Sequence, residues 1–514
     1  MIPLESRSYE NWSQMIRVDG VPTATPASDE EALEVVRRAA QQGYRVRPMG
    51  AFHTWAPLAF EEAHNVIAID QSQLSGLVDF AYEPVPAATF RTGTTLAQAV
   101  RLLEEIDNRG ASDAPGWAWP DYPGVPDVTI GGMLAIGAHG AGIRQRADQP
   151  DLFGTVSNLV LGFTAIVSDV DDYGIRSFRR DDPDAAALLV HLGAAYLLTV
   201  TMRVVPNCYL GRRVEYPDWE VAYAPTAVAG SIQSLVEEHG RVQALWFPFT
   251  RTPVVQHFTE EAYVEGPRVT EPLTVRLSPD LPAVFTGAFT QTLAHLPWLT
   301  PIVERAVLAE MKHLSPPDHE WHGTSGNMLL YVQHDTLRVV SLAYAVHVRA
   351  HEVQQAIHDL AHQFDRMLHD YAHAGHDPIN SCLEMRVTDV DRESATGFAG
   401  AVPAMLSAGL PINGSERVIW FDVVTTPGMP MAWEFYAEFE SWLWQRFPEG
   451  LRPEWSKAWA VSAEGPWTDE AVLARVRERV RPAVETWDRL DARRVYGSPL
   501  LDRLRAPAPP TLTP

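Results

Sequence analysis

Three groups of residues in this chain have types and spacings suited to chemistry. The first is Arg47-Pro48-Met49-Gly50-Ala51-Phe52-His53-Thr54-Trp55, where a short strand runs into a glycine turn presenting one imidazole. Such a turn aims its histidine at a bound ring such as a flavin. A lone histidine in a turn otherwise faces solvent or caps a neighbouring segment. The second group is Glu384 and Arg386, two residues apart. In a strand both point to one face. There the carboxylate can accept a proton and the guanidinium can hold growing negative charge. The same spacing is also common in surface ion pairs. The third group is Gly131-Gly132 followed by Gly137-Ala138-His139-Gly140-Ala141-Gly142. Glycine admits close backbone approach and positive φ, and exposed N–H groups in such loops can cradle a pyrophosphate. The spacing is neither a dinucleotide fingerprint nor a P-loop, so tight turns between packed helices explain it equally well.

The elements that must position these groups are legible in outline. Ser28-Asp-Glu-Glu31 reads as a helix start with acidic residues in the first turn. Ala32, Leu33, Val35, Val36 and Ala39 supply its apolar face, and Gly43 its end. The strand from Tyr44 to Arg47 then feeds the histidine turn. A second unit runs from Ala88 to Gly93, through Thr95 as a cap, into a helix from Leu96 to Leu103. Strand-like runs follow from Leu159 to Val167 and from Leu197 to Val204. Near Pro206 the chain becomes richer in aromatics and proline. Alternating runs such as Leu245–Phe249 and Val418–Val424 predict an antiparallel sheet. A last amphipathic helix is predicted near Glu470 to Trp487, and the proline-rich tail beyond reads as disordered or draped.

Bulk properties narrow the class. A chain of 514 residues predicts two large domains. Its 46% apolar and 21% charged residues are those of a globular protein. The net charge of −24 argues against nucleic acid and against docking on anionic membranes. The two cysteines, Cys208 and Cys382, support neither a disulfide framework nor a cysteine metal site. No apolar run spans a bilayer, and the N-terminus lacks an export signal. The expectation is a cytoplasmic protein, or a secreted one whose signal has been removed. His351, His358, His362, His369 and His373 recur at steps of seven and four, but they fall opposite the stripe Val353, Ile357, Leu360, Phe364, Met367 and Tyr371. A solvated histidine face is expected there, and no metal site.

Taken together, GAFHTW, TIGGMLAIGAHGAG and FGTVSNLVLGFTAIV resemble the vanillyl-alcohol-oxidase-type (PCMH-type) flavoproteins. That resemblance implies an extended FAD between two α+β subdomains, bonded covalently through His53. It implies FAD contacts from residues 48–55, Gly131, Gly132, Ala138, His139, Gly140, Gly154, Ser157 and Asn158. In the second half, Pro378-Ile-Asn-Ser-Cys-Leu-Glu-Met-Arg386, Gly240–Thr250, Val418–Val423, Trp433–Tyr436, Arg452-Pro-Glu-Trp-Ser-Lys457 and Asp491–Val495 resemble the covalent-flavin (type II) cholesterol oxidases. Residues 260 to 325 match least.

This second resemblance implies an α+β fold with an FAD-binding domain (1–205 and 455–514) and a substrate-binding domain (206–454) built on an antiparallel sheet. It implies oxidation of a bulky hydrophobic secondary alcohol, such as a 3β-hydroxysterol, by hydride transfer to FAD. Oxygen would reoxidise the FAD to give hydrogen peroxide, and 5-ene to 4-ene isomerisation could follow. A dehydrogenase, or an oxidase of a non-sterol alcohol, is the alternative. A monomer is expected. Glu384 is implied as proton acceptor, Arg386 as charge stabiliser and Lys457 as a neighbour of the flavin. Two departures stand out. The family has a glutamate at Gln243, where it works with the arginine as an oxygen gate, and an asparagine at Asp422. Gln243 is expected to hydrogen-bond Arg386, or else to leave Arg386 to Glu384 alone. Asp422 would replace the missing carboxylate if it faces the same pocket.

Overall fold

In the computed structural model, residues 2–506 are described apart from 147–148, 150, 169–171, 264, 266–267, 272–293 and 333–337. The predicted tail from 507 onward and part of the least matching stretch lie outside the described residues.

Mixed α and β elements form three main sheets. Glu5–Glu10, Arg17–Ala24, Val66–Asp70 and Arg45–Met49 make a four-stranded sheet in that order, the last three parallel. Helix Asp29–Gln42 packs beside it, and Ser28 accepts the Glu31 N–H as predicted. Gly43 ends this helix at φ +74°, a left-handed geometry that costs glycine little. A five-stranded antiparallel sheet follows, ordered Leu77–Ala81, Ala87–Arg91, Tyr196–Arg203, Val160–Ser168, Tyr173–Arg179. Thr95 and Gln98 form a reciprocal cap on helix Leu96–Glu104.

The second half is one eight-stranded antiparallel sheet. Its order is Trp321–Thr324, Tyr209–Glu215, Val254–Glu261, Arg241–Trp246, Leu383–Asp389, Arg417–Thr425, Val340–Val348, Leu451–Pro453. The strand expected to reach Phe249 ends at Trp246, because Pro248 has no N–H for a ladder and Phe249 turns at φ +61°. Helix Val353–His373 lies against this sheet and buries Val353, Ile357, Leu360, Phe364 and Met367. Each such side chain contributes about 1.5–3 kcal/mol.

The histidine face of that helix departs from expectation in part. His358 Nδ1 lies 2.7 Å from the Tyr223 carbonyl, and the His362 ring meets Trp219 edge-on. The N-terminal half of this face meets the short helix Trp219–Ala222 and the Tyr223 after it, so only the rest of the face is free. Among the described residues, the groups whose ligand atoms converge are Glu215–His239–His257 and Glu261–Glu320–His322, neither of them on this helix.

The last described segments return to the first half. Trp487 Nε1 donates to the Ala187 carbonyl, and Asp491 accepts from the Tyr173 hydroxyl. Helix Glu470–Leu490 thereby docks on the five-stranded sheet.

Candidate active site

A cavity of about 350 Å³ lies between the histidine turn, residues 128–139, the loop of residues 191–197 and the face of the eight-stranded sheet. The whole turn from Pro48 to Trp55 lines it.

Backbone contacts hold that turn. Trp12 N–H donates to the Phe52 carbonyl at 3.0 Å, and Asn11 Nδ2 donates to the Thr54 carbonyl at 3.0 Å. Trp55 N–H donates to the Ser456 carbonyl at 2.8 Å. Phe52 sits at φ +55°, which throws His53 out of the strand direction. Gly50 is required by close approach: a Cβ there would lie 2.6 Å from Thr129 Oγ1. His53 Nε2 stands 2.9 and 3.0 Å from the two carboxylate oxygens of Asp127. An ionised carboxylate only accepts, so Nε2 carries a hydrogen, and in the neutral imidazole the lone pair then lies on Nδ1. The Trp12 ring stacks on the imidazole at 5.7 Å.

Gly131, Gly132 and Ala138 form the adjoining edge. Thr129 caps the short helix Ile130–Ile136 by accepting from Gly132 N–H, and Gly131 N–H donates to the Thr92 carbonyl. His139 also lines the cavity and stacks on Trp420 at 3.6 Å. Gly140, Gly154, Ser157 and Asn158 do not line it. Gly140 packs on Asp121, and Gly154 packs on Asp391. Ser157 bonds Thr155, while Asn158 binds the Asp151 carbonyl and the Arg392 N–H. These four order the turn behind the glycine edge.

The sheet supplies the opposite wall. Cross-strand register sets Gln243 against Arg386 and Glu384 against Asp422, so all four share the cavity-facing side. Arg386 stands 3.0 Å from Glu384 and 2.9 Å from Asp422. Lys457 reaches Asp422 at 2.9 Å, and Ser341 donates to it at 2.7 Å. Asp422 is 2% exposed and lies one layer behind the cavity surface, whereas Gln243, Glu384, Arg386 and Lys457 line it. Gln243 departs from expectation. Its amide donates to Glu384 Oε1, and Asp422 takes the place beside Arg386.

Burial alone would raise the Asp422 carboxyl, but Lys457 and Arg386 outweigh it and hold it well below the usual carboxylate range. Burial works against the Lys457 ammonium, and Asp422 with Glu454 overcomes it and raises its value. The wall therefore alternates in sign: Glu384, Arg386, Asp422, Lys457, Glu454. Burial, aided by Arg47, pushes the His191 imidazole down to about 3, so it is neutral.

Asp127, Glu454, His191, Gln256 and Arg212 escaped the sequence reading. Glu454 lies within Arg452-Pro-Glu-Trp-Ser-Lys457, three residues from Lys457, and Asp127 lies two residues before the Thr129 cap; that nearness was a usable signal. The other three have no local signature.

Residues 212–506 match the cholesterol oxidase substrate-binding family, and residues 22–165 match the FAD-binding domain family. A solvent-stable cholesterol oxidase is similar in structure, with a TM-score of 0.91, 30% identity and 98% of both chains covered. The crystal structure of cholesterol oxidase from B. sterolicum is similar at TM-score 0.90, 26% identity and 98% of both chains. L-gulonolactone oxidase from Mus musculus is 24% identical over 243 residues, 47% of this chain and 48% of that protein. The Bos taurus enzyme is 24% identical over 241 residues. The chain thus spans about half the length of the curated relatives it matches.

The cavity fits FAD on its own terms. Gly131 and Gly132 leave one edge without side chains, and among the described residues the buried lining atoms Glu454 Oε2 and His191 Nε2 have no hydrogen-bond partner. The chain belongs to the family of FAD-binding oxidoreductases that carry a cholesterol oxidase substrate-binding domain.

Proposed function

We propose that this protein oxidises a bulky hydrophobic secondary alcohol, such as the 3β-hydroxysterol cholesterol, with FAD bonded to His53 and oxygen as acceptor. The observation that carries this reading is convergence. His53, the glycine edge, Glu384 with Arg386, and Lys457 come from four parts of the chain and line one cavity. FAD, when bound, supplies the hydride acceptor and the route by which electrons reach oxygen as hydrogen peroxide.

The residues divide the remaining work. Glu384 takes the hydroxyl proton as hydride leaves the same carbon. Arg386 and Lys457 keep positive charge at the wall, and Asp422 locks both in place. Asp127 orients His53 so that Nδ1 is the nitrogen free to bond. A 5-ene sterol product would isomerise to the 4-ene ketone. Residues 1–205 with 455–514 would hold FAD, and residues 206–454 the alcohol. The Val46 N–H to Val495 carbonyl bond supports grouping the last segment with the first. A monomer belongs to the same reading. Among the described residues no helix is long and apolar enough to cross a membrane.

A second reading is a dehydrogenase, or an oxidase of a non-sterol alcohol. It is favoured by Gln243 in place of the family's glutamate and by relatives whose names specify a lactone.

The mass of the intact denatured protein tests the linkage: an added FAD mass is expected, and an unmodified polypeptide overturns it. Peroxide release with cholesterol in air, set against dye reduction under nitrogen, separates the two readings. Dye reduction without peroxide would favour the second.

A further inference from the structure

Behind Glu384, on the cavity-facing side of the sheet, runs a chain of polar side chains that the proposed chemistry does not use. Arg212 Nε and Nη2 donate to Gln256 Oε1 at 3.1 and 3.0 Å. Gln256 Nε2 donates to Gln243 Oε1, and Gln243 Nε2 donates to Glu384 Oε1. Arg212, Gln256 and Gln243 are all buried.

The direction of this chain is forced. A guanidinium has donors only, so Gln256 must turn its oxygen to Arg212. Its amide NH₂ then faces Gln243, which must in turn present oxygen to Gln256 and NH₂ to Glu384. One donor-only group therefore settles two amide orientations that are otherwise ambiguous. At the far end, Arg386 Nε stands 3.0 Å from the same Glu384 Oε1. Among the described residues no hydrogen bond or ion pair reaches Glu384 Oε2, and Glu384 lines the cavity.

We propose that Arg212 and Gln256 are positioning residues that act through Gln243 to pin Glu384 Oε1, so that Oε2 is the oxygen that receives the substrate proton. This rests on the reading of Glu384 as the base. If Gln256 loses its amide, Gln243 can flip and turn its oxygen to the carboxylate. Glu384 then swings, and its ionised form loses a donor.

The other charged or titratable groups around Glu384 are Arg386 on its own strand, Asp422 on the next, Lys457 and Glu454 beyond Pro453, Tyr331 across the cavity, and Cys382. None of these is altered by the variants used in the test.

The holoprotein and its Gln256→Leu, Arg212→Met, Arg212→Lys and Glu384→Gln variants are assayed with cholesterol from pH 5 to pH 9. Flavin absorbance is titrated over the same range without substrate. Gln256→Leu and Arg212→Met are expected to lower kcat at least about tenfold, with KM changed less than about threefold. They should move the acid limb of the profile, and any flavin transition that Glu384→Gln abolishes, upward by about one pH unit. Arg212→Lys keeps a donor-only cation and should restore most of the rate.

Wild-type kcat and an unmoved acid limb in Gln256→Leu overturn the proposal, as does an Arg212→Lys variant no better than Arg212→Met. If Glu384→Gln itself turns over normally, it is the base reading that fails. Should Gln256→Leu not fold, the two Arg212 variants decide alone.

Discussion

The wall that carries His53 is built from backbone hydrogen bonds and close packing, whereas the wall that carries Glu384 is built from side-chain charge. On the first, three carbonyls (Phe52, Thr54 and Ser456) fix the turn, and Gly50 lets it touch Thr129. On the second, five charges of alternating sign run from Glu384 to Glu454 across two strands and the segment after Pro453. A backbone-held wall suits a fixed attachment. A charge-held wall suits a step in which a proton arrives and must leave, because its partners compensate the change in charge nearby. The contrast predicts that substitutions on the first wall alter cofactor content, and that those on the second alter rate and acid stability.

The largest expected effect is on the first wall. His53→Ala should abolish acid-stable flavin altogether, read as loss of the bound FAD mass in the denatured protein. Retention of that mass would place the attachment elsewhere and break the comparison. Next comes Glu384→Gln on the second wall. Turnover should fall about 10²–10⁴-fold while flavin absorbance of the purified protein is unchanged.

Asp422→Asn sharpens the comparison through stability. Removing the charge leaves two buried cations facing a neutral amide and should cost about 3–5 kcal/mol at pH 7 in urea denaturation. Because its folded value is depressed, the wild-type advantage is complete above the ordinary carboxylate range, about pH 4. The gap between wild type and variant should shrink below that range and close once the pH passes below the depressed value. The smallest effect belongs to Gly50→Ala. The new methyl would press on Thr129 and should lower stability by about 1–3 kcal/mol, with flavin content falling before turnover per flavin does.

The two walls were also unequally legible in the sequence. The histidine turn and Gly131-Gly132 are contiguous motifs, so local spacing suffices to find them. Glu384 and Arg386 are legible because a strand puts residues two apart on one side. The partner of Gln243 was not legible. Choosing between Arg386 and Glu384 needs the side-chain reach across two paired strands, and single-chain spacing does not encode it. Arg212 and Gln256 were invisible for the same reason, since register alone brings them together. Gly154, Ser157 and Asn158 show the opposite case. They sit in a strong motif, yet Gly154 packs closely on Asp391, Ser157 bonds Thr155 and Asn158 accepts from the Arg392 N–H, and none of them lines the cavity. Ser28, Thr95 and Gly43 were read correctly because caps are local chemistry. The end of the strand at Trp246 was misjudged because aromatic alternation continued past Pro248.

The buried guanidinium of Arg47 bonds the carbonyls of Leu58, Gly193 and Tyr496, the last of them 449 residues later in the chain. During synthesis the chain emerges from its N-terminus, and early domains begin to fold at once. Here the strand that leads into the histidine turn lacks the third of these carbonyl partners until residue 496 has been made. The packing around Arg47 can therefore be completed only after every strand of the eight-stranded sheet has been synthesised.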